Sequence, residues 1–165
     1  MELGLTIPLQ RHLRCKPPLY GTEPDLRFCW DLHVIRLRGS SSLLAVHCFS
    51  RYVFVRYAPE WADLIGLFRA GLQDSLSDAG FAAPQIERYL HQAGAVQLTR
   101  THGRRAVAFL NRAWDDVLLC DLCLDPAGEA QPLLDHAVNT RPGRCAVSSE
   151  IGTGLARIAA LLASL

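Results

Sequence analysis

The segment from Arg100 to Asp116 holds the residues whose types and spacing are best suited to chemistry. Its start, Thr101-His-Gly-Arg-Arg105, precedes a helical pattern, and a helix N-terminus presents free backbone N–H groups and about half a positive charge. Thr101 is the candidate N-cap, Gly103 lets a ligand approach the backbone, and arginine grips phosphate or carboxylate groups. The predicted anion-binding residues are Thr101, His102, Gly103, Arg104 and Arg105.

The charges of this segment run against the helix dipole. Arg104 and Arg105 stand at its start, and residues 115–135 carry six acids and no Lys or Arg. The unfavourable dipole effect costs only about 0.3–1 kcal/mol per surface charge, so a protein tolerates it without a function. Two interpretations therefore stay open: a site for an anionic ligand or nucleic acid, and structural ion pairs with Glu87 or with the acids of 115–135.

The second half of the segment is typical of architecture. Asn111 follows Leu110, and we expect its amide to be buried and to hold a neighbouring loop. Arg112 reaches Asp115 and Asp116 at helical spacing, so Asn111, Arg112 and Asp115 are predicted to be structural polar residues. Carboxylates at adjacent helix positions diverge by about 100°, which disfavours a shared metal or an acid–base pair.

The cysteines raise the question of metal binding. Cys120-x-x-Cys123, His136 and Cys145 offer four ligands for a structural zinc ion. The alternative is that the pair serves as small core residues of a helix. The spacing matches no common zinc finger, so we expect no metal site and no cofactor.

The motifs of common enzyme classes are missing from the chain. It contains no Gly-x-Ser-x-Gly elbow, P-loop or dinucleotide fingerprint. His47 and Cys48 are adjacent on a predicted strand, which places them on opposite faces. The Arg and aromatic residues of 51–57 suit either a stacking platform for single-stranded nucleic acid or an ordinary core strand, and their mixed faces favour the core strand.

Composition limits the classes of protein further. The chain has 165 residues, 50% of them hydrophobic, and a formal net charge of +1. This charge gives no global attraction to nucleic acid or to an anionic membrane. No apolar stretch approaches the roughly 20 residues of a membrane span, and no secretory leader is recognisable. We expect a cytoplasmic protein with reduced thiols and no membrane partner.

Hydrophobic periodicity predicts the elements that position these residues. Alternating and β-branched segments predict strands at 3–7, 28–34, 43–48, 51–57 and 95–99. Helical spacing predicts helices from Pro59 to Gly80, over 84–93, from the Arg100 segment to a break at Asp125, and over 131–138. The predicted fold class is α+β: an antiparallel sheet from the N-terminal half, packed by helices from the C-terminal half, with a terminal helix.

The end of the chain has its own pattern. Apolar residues spaced 4, 3, 4 and 3 form a seam of the coiled-coil type: Ile151, Leu155, Ile158, Leu162 and Leu165. The seam either packs on the core of its own chain or forms the contact of a homodimer. We therefore divide the chain into a single α+β domain, 1–148, and a C-terminal helix, 149–165.

Five short motifs resemble those of a family of small prokaryotic proteins of unknown function. They are Leu13-Arg14-Cys15, Trp30-x-Leu32, His47-x-x-Ser50, Phe68-x-x-Gly71-Leu72, and Thr101-x-x-Arg104 with Asn111. In that family the first motif belongs to an initial strand, and Asn-x-x-Thr stands where this chain has His47-x-x-Ser50. The resemblance covers residues 13–115. It implies an α+β domain but no activity, substrate or cofactor.

The sequence therefore favours a non-enzymatic binding or regulatory protein with an anion-binding arginine surface. One alternative is an enzyme that acts on a phosphate-bearing or nucleotide substrate at the same helix start. Another is a structural protein that dimerises through the tail helix. The enzyme requires carboxylates or histidines from elsewhere in the chain to meet the Arg100 segment, and the structural protein requires a dimer that is lost when residues 150–165 are deleted.

Overall fold

A five-stranded mixed sheet forms the centre of the protein, whose 165 residues are all described by the computed structural model. The strands are β1 (Glu2–Leu5), β2 (Cys29–Leu37), β3 (Ser40–His47), β4 (Val53–Arg56) and β5 (Gln97–Arg100). Their order across the sheet is β4-β3-β2-β1-β5. The predicted antiparallel meander is confirmed for β2, β3 and β4.

The prediction of a wholly antiparallel sheet is wrong at β1. This strand lies between β2 and β5 and pairs with both in parallel. Parallel pairs need long crossover connections, which residues 6–28 and 57–96 provide. Periodicity predicts a strand but not its partner, so the sequence pattern did not reveal this position.

Six helices complete the α+β fold. They are α1 (Ile7–His12), α2 (Leu64–Asp78), α3 (Ala83–Ala93), α4 (Gly103–Leu119), α5 (Pro132–Asn139) and α6 (Gly154–Ser164). Single 3₁₀ turns cover Leu26–Phe28 and Asp121–Cys123, and a two-residue pair joins β6 (Pro142–Gly143) to β7 (Gly152–Thr153).

Two helices differ from the predictions: α2 in its start, and α1, which was not predicted. Helix α2 begins at Leu64 rather than at Pro59, because the Asp63 carboxylate accepts a 2.9 Å hydrogen bond from the Gly66 N–H and caps the helix there. The first strand ends at Leu5, and α1 follows it, with Pro8 in the first turn, where a missing N–H costs nothing.

The two faces of the sheet bury separate cores. Helices α2, α3 and α6 cover one face, where the rings of Trp30, Phe54 and Phe68 lie 5.5–5.6 Å apart, centroid to centroid. Helices α4 and α5 cover the other face with residues such as Leu110 and Val138. Helix α4 follows β5 directly in the chain and packs across this second face of the sheet. Its first turn lies against the end of β1.

The tail helix packs on its own chain. Ile158 and Leu162 of the predicted seam are fully buried in the first core, together with Leu161. Ile151 lies before the helix and is 73% exposed. The apolar stripe of α6 is thus occupied within the chain, and dimer formation through it stays a prediction.

Helix α5 covers the edge strand β4 with polar side chains. The Val53 N–H donates to Asn139 Oδ1 (2.8 Å), and Asn139 Nδ2 donates to the Val53 carbonyl (2.7 Å). The Val55 N–H donates to Asp135 Oδ1 (2.9 Å). An exposed strand edge is a template for pairing with another chain, and these two side chains take the place of the missing strand.

Asp135 is fully buried at this edge. Its Oδ2 accepts a 3.0 Å hydrogen bond from Ser75 Oγ. Burial raises the pKa of Asp135 well above its ordinary 3.8, although the hydrogen bonds from Ser75 and Val55 act in the opposite direction. The folded protein therefore holds the Asp135 proton at pH values where the unfolded chain releases it.

We predict that Asn139→Leu lowers the free energy of unfolding by about 2–4 kcal/mol, because it leaves the Val53 N–H and carbonyl buried without partners. Denaturant unfolding followed by far-ultraviolet circular dichroism measures the change. His136→Leu, on the exposed side of the same helix, is the control. Equal unfolding midpoints for the two variants would contradict the role of Asn139.

We also predict a pH-dependent difference between the wild type and Asp135→Asn. Because the folded pKa of Asp135 is raised, its stabilising contribution is complete below the unfolded pKa and is lost as the pH rises toward the folded pKa. Stability relative to the variant should therefore fall, by up to about 1.4 kcal/mol per pH unit, as the pH rises above about 4. Unfolding midpoints measured from pH 4 to 8 test this, and a constant difference would refute it.

Candidate functional site

A cleft of about 720 Å³ opens where the parallel strands β1 and β5 end. In sheets with parallel strands, ligands bind beyond the carboxyl ends of the strands. The ends of β1 and β5 contribute Leu5, Arg100 and Thr101, and α1 contributes Ile7 and Gln10. The topology around β1, rather than any local motif, creates this cleft.

Helix α4 forms the second wall. Arg104, Val107, Ala108 and Asn111 line the cleft, and their spacing of three, four and seven residues places them on one face of the helix. An arginine and an amide therefore stand at either end of an apolar strip. This arrangement suits a ligand with an anionic group and an apolar body.

The loop after α1 closes the third side. Arg100 Nε donates to the Pro18 carbonyl, and Arg100 Nη1 donates to Tyr20 Oη, each at 3.1 Å. The guanidinium also lies 4.6 Å from the centroid of the Tyr20 ring, within the range of a cation–π contact. Arg100 thus anchors the loop that carries Pro17 and Tyr20 into the cleft.

Arg104 and Arg105 form no ion pair or hydrogen bond with the protein. The expected structural pairs with Glu87 and the acids of 115–135 are therefore not formed by these two residues. Those acids bind other arginines: Asp116 binds Arg51 and Arg141, Asp121 binds Arg38, and Glu129 binds Arg56.

On the other side of the same helix start, His102 lies buried between two carboxylates. His102 Nδ1 is 2.8 Å from Asp31 Oδ1, and His102 Nε2 is 3.2 Å from Glu2 Oε2. The His102 backbone N–H also donates to Asp31 Oδ1 (3.2 Å). Glu2 and Asp31 belong to β1 and β2, so His102 fastens α4 to the centre of the sheet.

The electrostatics of this cluster favour an imidazolium. Burial of the ring disfavours the charged form, but the hydrogen bond to Asp31 and the contacts with the sulfurs of Cys29 and Cys48 raise the pKa of His102 well above its usual range. Burial also raises the pKa of the Cys48 thiol to about 12. His102 is therefore the positive counter-charge of Asp31 and Glu2, beside the neutral thiol of Cys48.

Gly4 provides the space for this contact. It pairs with Asp31 across β1 and β2, and a Cβ at Gly4 would collide with the Asp31 carboxylate and with the backbone of Thr101.

The second oxygen of Glu2 is also hydrogen-bonded. The N–H groups of Thr22 and Glu23 donate to it, at 2.6 and 2.9 Å. The carboxylate of Glu2 is thus satisfied on both oxygens.

Comparison with known proteins places the chain in a family without a known activity. The model of a family described as a domain of unknown function, DUF6933, matches residues 2–149. The chain belongs to this family. No curated protein matches the chain, and none of its helices combines the length and apolar character needed to cross a membrane.

The resemblance to a family of unknown function is confirmed, and the DUF6933 match extends beyond residues 13–115. One of the quoted motifs has a different structure here. Leu13-Arg14-Cys15 follows α1 instead of forming a strand, and Arg14 adopts a positive φ of 52°. The first strand of this DUF6933 domain is β1, whose sequence Glu-Leu-Gly-Leu contains no Arg-Cys.

The five predicted anion-binding residues divide into two groups. Thr101, Gly103 and Arg104 line the cleft. Arg105 is exposed outside it, and His102 points into the buried cluster. The N-cap of α4 is His102 and not Thr101, and no side chain caps this helix. Gly103 is also required by its backbone, which has a φ of +91°.

The structural roles predicted for Asn111, Arg112 and Asp115 in the second half of α4 are not observed, and Asp115 is exposed. Asn111 is exposed in the cleft and holds no loop, because Leu110 takes the core-facing position. Arg112 lies over the Phe109 ring (5.3 Å) and pairs with neither Asp115 nor Asp116. On a helix, an arginine that precedes an acid by three or four residues pairs with it more weakly than one that follows it.

The predicted zinc ligands are not brought together. Cys120 ends α4, Cys123 lies in the next turn, His136 is exposed on α5, and Cys145 is buried elsewhere. Both groups of potential metal ligands in the structure contain His102 instead. Sequence reasoning missed Glu2 and Asp31, and the available signal was a single acid in each of two strands.

We predict that His102→Ala lowers the free energy of unfolding by about 3–5 kcal/mol, because two buried carboxylates lose their counter-charge. Arg105→Ala, three residues later on the exposed side of α4, should change it by less than about 0.5 kcal/mol. Guanidinium unfolding of both variants measures the difference. A His102→Ala protein as stable as the wild type would show that the cluster does not fasten α4.

Proposed function

We propose that this protein is a non-enzymatic binding or regulatory protein that holds a small organic anion in the cleft between β1, β5 and α4. The observation that carries the proposal is Arg104, a guanidinium that faces the cleft without an acidic partner in the chain. It stands in the first turn of a 17-residue helix, where free N–H groups also attract an anion.

The rest of the lining supports a ligand with an apolar body. Leu5, Ile7 and Val107 offer an apolar surface, and Gln10 and Asn111 offer amides for orientation. The volume of about 720 Å³ lies within the range of about 300–1,000 Å³ for small-molecule sites. A phosphate or carboxylate on a ring or short chain matches this combination.

The lining favours binding over catalysis. None of the twelve residues that border the cleft is an Asp, Glu, His or Cys, and these side chains most often act as general acids, bases or nucleophiles. His102, which adjoins the cleft in sequence, is directed to Asp31 and Glu2. An enzyme for a phosphate-bearing or nucleotide substrate is therefore the less supported alternative.

A small anion is also favoured over nucleic acid. Stacking platforms for single strands need exposed aromatic rings, but Tyr52 and Phe54 of the arginine-aromatic segment are buried in the core. The cleft is concave and presents only two arginines, Arg100 and Arg104. The charge of these two arginines matches a single anionic group better than it matches the phosphate backbone of a nucleic acid.

The matched variants Arg104→Ala and Arg105→Ala test the proposal. A panel of nucleoside monophosphates, sugar phosphates and aromatic carboxylates is screened by thermal shift, and binding is then measured by calorimetry. Arg104→Ala should weaken the best ligand about 10- to 150-fold, the value of a charge-assisted hydrogen bond. Arg105→Ala removes the same charge outside the cleft and should change the affinity less than about threefold.

Three results would contradict the proposal. One is that no member of the panel binds. Another is that both variants weaken binding equally, which would indicate a diffuse surface charge. The third is that a single-stranded oligonucleotide binds more tightly than every small anion, with an affinity that falls steeply as salt rises.

A further inference from the structure

The buried cluster around His102 contains more side-chain atoms able to bind a metal ion than its hydrogen bonds use. Its members come from β1, β2, the residue after β3 and the residue before α4: Glu2, Cys29, Asp31, Cys48 and His102. They form two groups of three that share His102, and within each group the ligand atoms lie within 4.8 Å of one another. A carboxylate, a thiol and an imidazole are present in both groups.

One oxygen of Asp31 has no partner. Asp31 Oδ1 accepts from the ring and the backbone of His102, but Asp31 Oδ2 is buried without a hydrogen bond. Asp31 is only 1% exposed, and a buried carboxylate oxygen without a donor or a cation is costly. Asp31 and Cys48 also border a small cavity of about 10 Å³, which Arg51 lines and His102 does not; its volume is close to the minimum for one water.

The distances around Nδ1 suit a tetrahedral ion. Zn–S and Zn–N bonds of about 2.3 and 2.0–2.1 Å at the tetrahedral angle separate the two ligand atoms by about 3.5 Å. The observed distance from Cys48 Sγ to His102 Nδ1 is 3.5 Å. Asp31 Oδ1 is 2.8 Å from the same nitrogen and would move by about 0.5 Å, or Oδ2 would bind instead.

We propose that Asp31, Cys48 and His102 Nδ1 bind one divalent metal ion of the zinc class. Thiolate and imidazole ligands select ions of this kind. On binding, the Cys48 thiol and the imidazolium each release one proton to solvent, and the sulfur and Nδ1 electron pairs bind the metal. The ion replaces the proton that now lies between His102 and Asp31.

Glu2 then has a defined role beside the metal. Its Oε2 accepts the hydrogen bond from His102 Nε2, the arrangement in which a carboxylate orients a metal-bound histidine. Glu2 is already satisfied by Thr22 and Glu23, whereas Asp31 Oδ2 is not. This difference assigns the ion to the Asp31 side rather than to the side of Glu2 and Cys29.

The test measures metal in the full chain, purified without a histidine tag under reducing conditions and reconstituted with Zn²⁺. The wild type should hold about one equivalent, because structural zinc binds tightly. Cys29→Ser, in the neighbouring strand, is the matched control and should also hold about one equivalent, while Cys48→Ser should hold less than about 0.1. Elemental analysis of the dialysed proteins gives these values.

Cobalt substitution provides a second readout. Co²⁺ bound to the wild type and to Cys29→Ser should show thiolate-to-cobalt absorption in the near ultraviolet, and Co²⁺ with Cys48→Ser should not. If Cys48→Ser does not fold, Asp31→Asn replaces it in the metal analysis, with the same expected loss. A wild type with less than about 0.1 equivalent overturns the proposal, and so does metal loss in Cys29→Ser but not in Cys48→Ser.

Discussion

The contacts of His102 with Asp31 and Glu2 are the interaction on which the rest of the structure depends. Strand β1 has parallel neighbours on both sides, and its polar face is covered by the loop at Thr22 and Glu23 and by the start of α4. The N-cap residue of α4 carries the counter-charge of the two acids. Without this charge, two carboxylates would remain buried in the middle of the sheet.

The same helix start serves two opposite environments. His102 is directed into the sheet, where it pairs with Asp31. Arg104, two residues later, faces solvent in the cleft and has no partner in the chain. A rigid anchor next to an unengaged guanidinium is what a binding site needs, because positions fixed in advance lose little freedom when a ligand arrives. The reversed charge order along α4 thus has a local explanation for Arg104, which faces the cleft, but not for Arg105, which is exposed outside it.

Local patterns predicted the elements and part of the site. The helical spacing of α4 and the alternation in β2 depend on neighbours in sequence, and they were predicted correctly. Arg104 was singled out because a charge anomaly is also local, and it lines the cleft. The parallel pairing of β1 was not predicted, because it depends on long crossovers. Glu2, Asp31 and His102 were missed as a group because their meeting depends on that pairing, and an isolated acid in a strand is ordinarily taken for a solvent-facing position.

The amide of Asn139 has a consequence for association between molecules. Because a side chain and not a strand completes the edge of β4, the sheet stays closed only while α5 remains docked. Detachment of α5 would expose a short edge of alternating valine and phenylalanine, Val53-Phe54-Val55, to any other open edge in solution. Partial unfolding at this one helix would therefore lead to sheet-to-sheet aggregation while the core on the other face, around Trp30, is still intact.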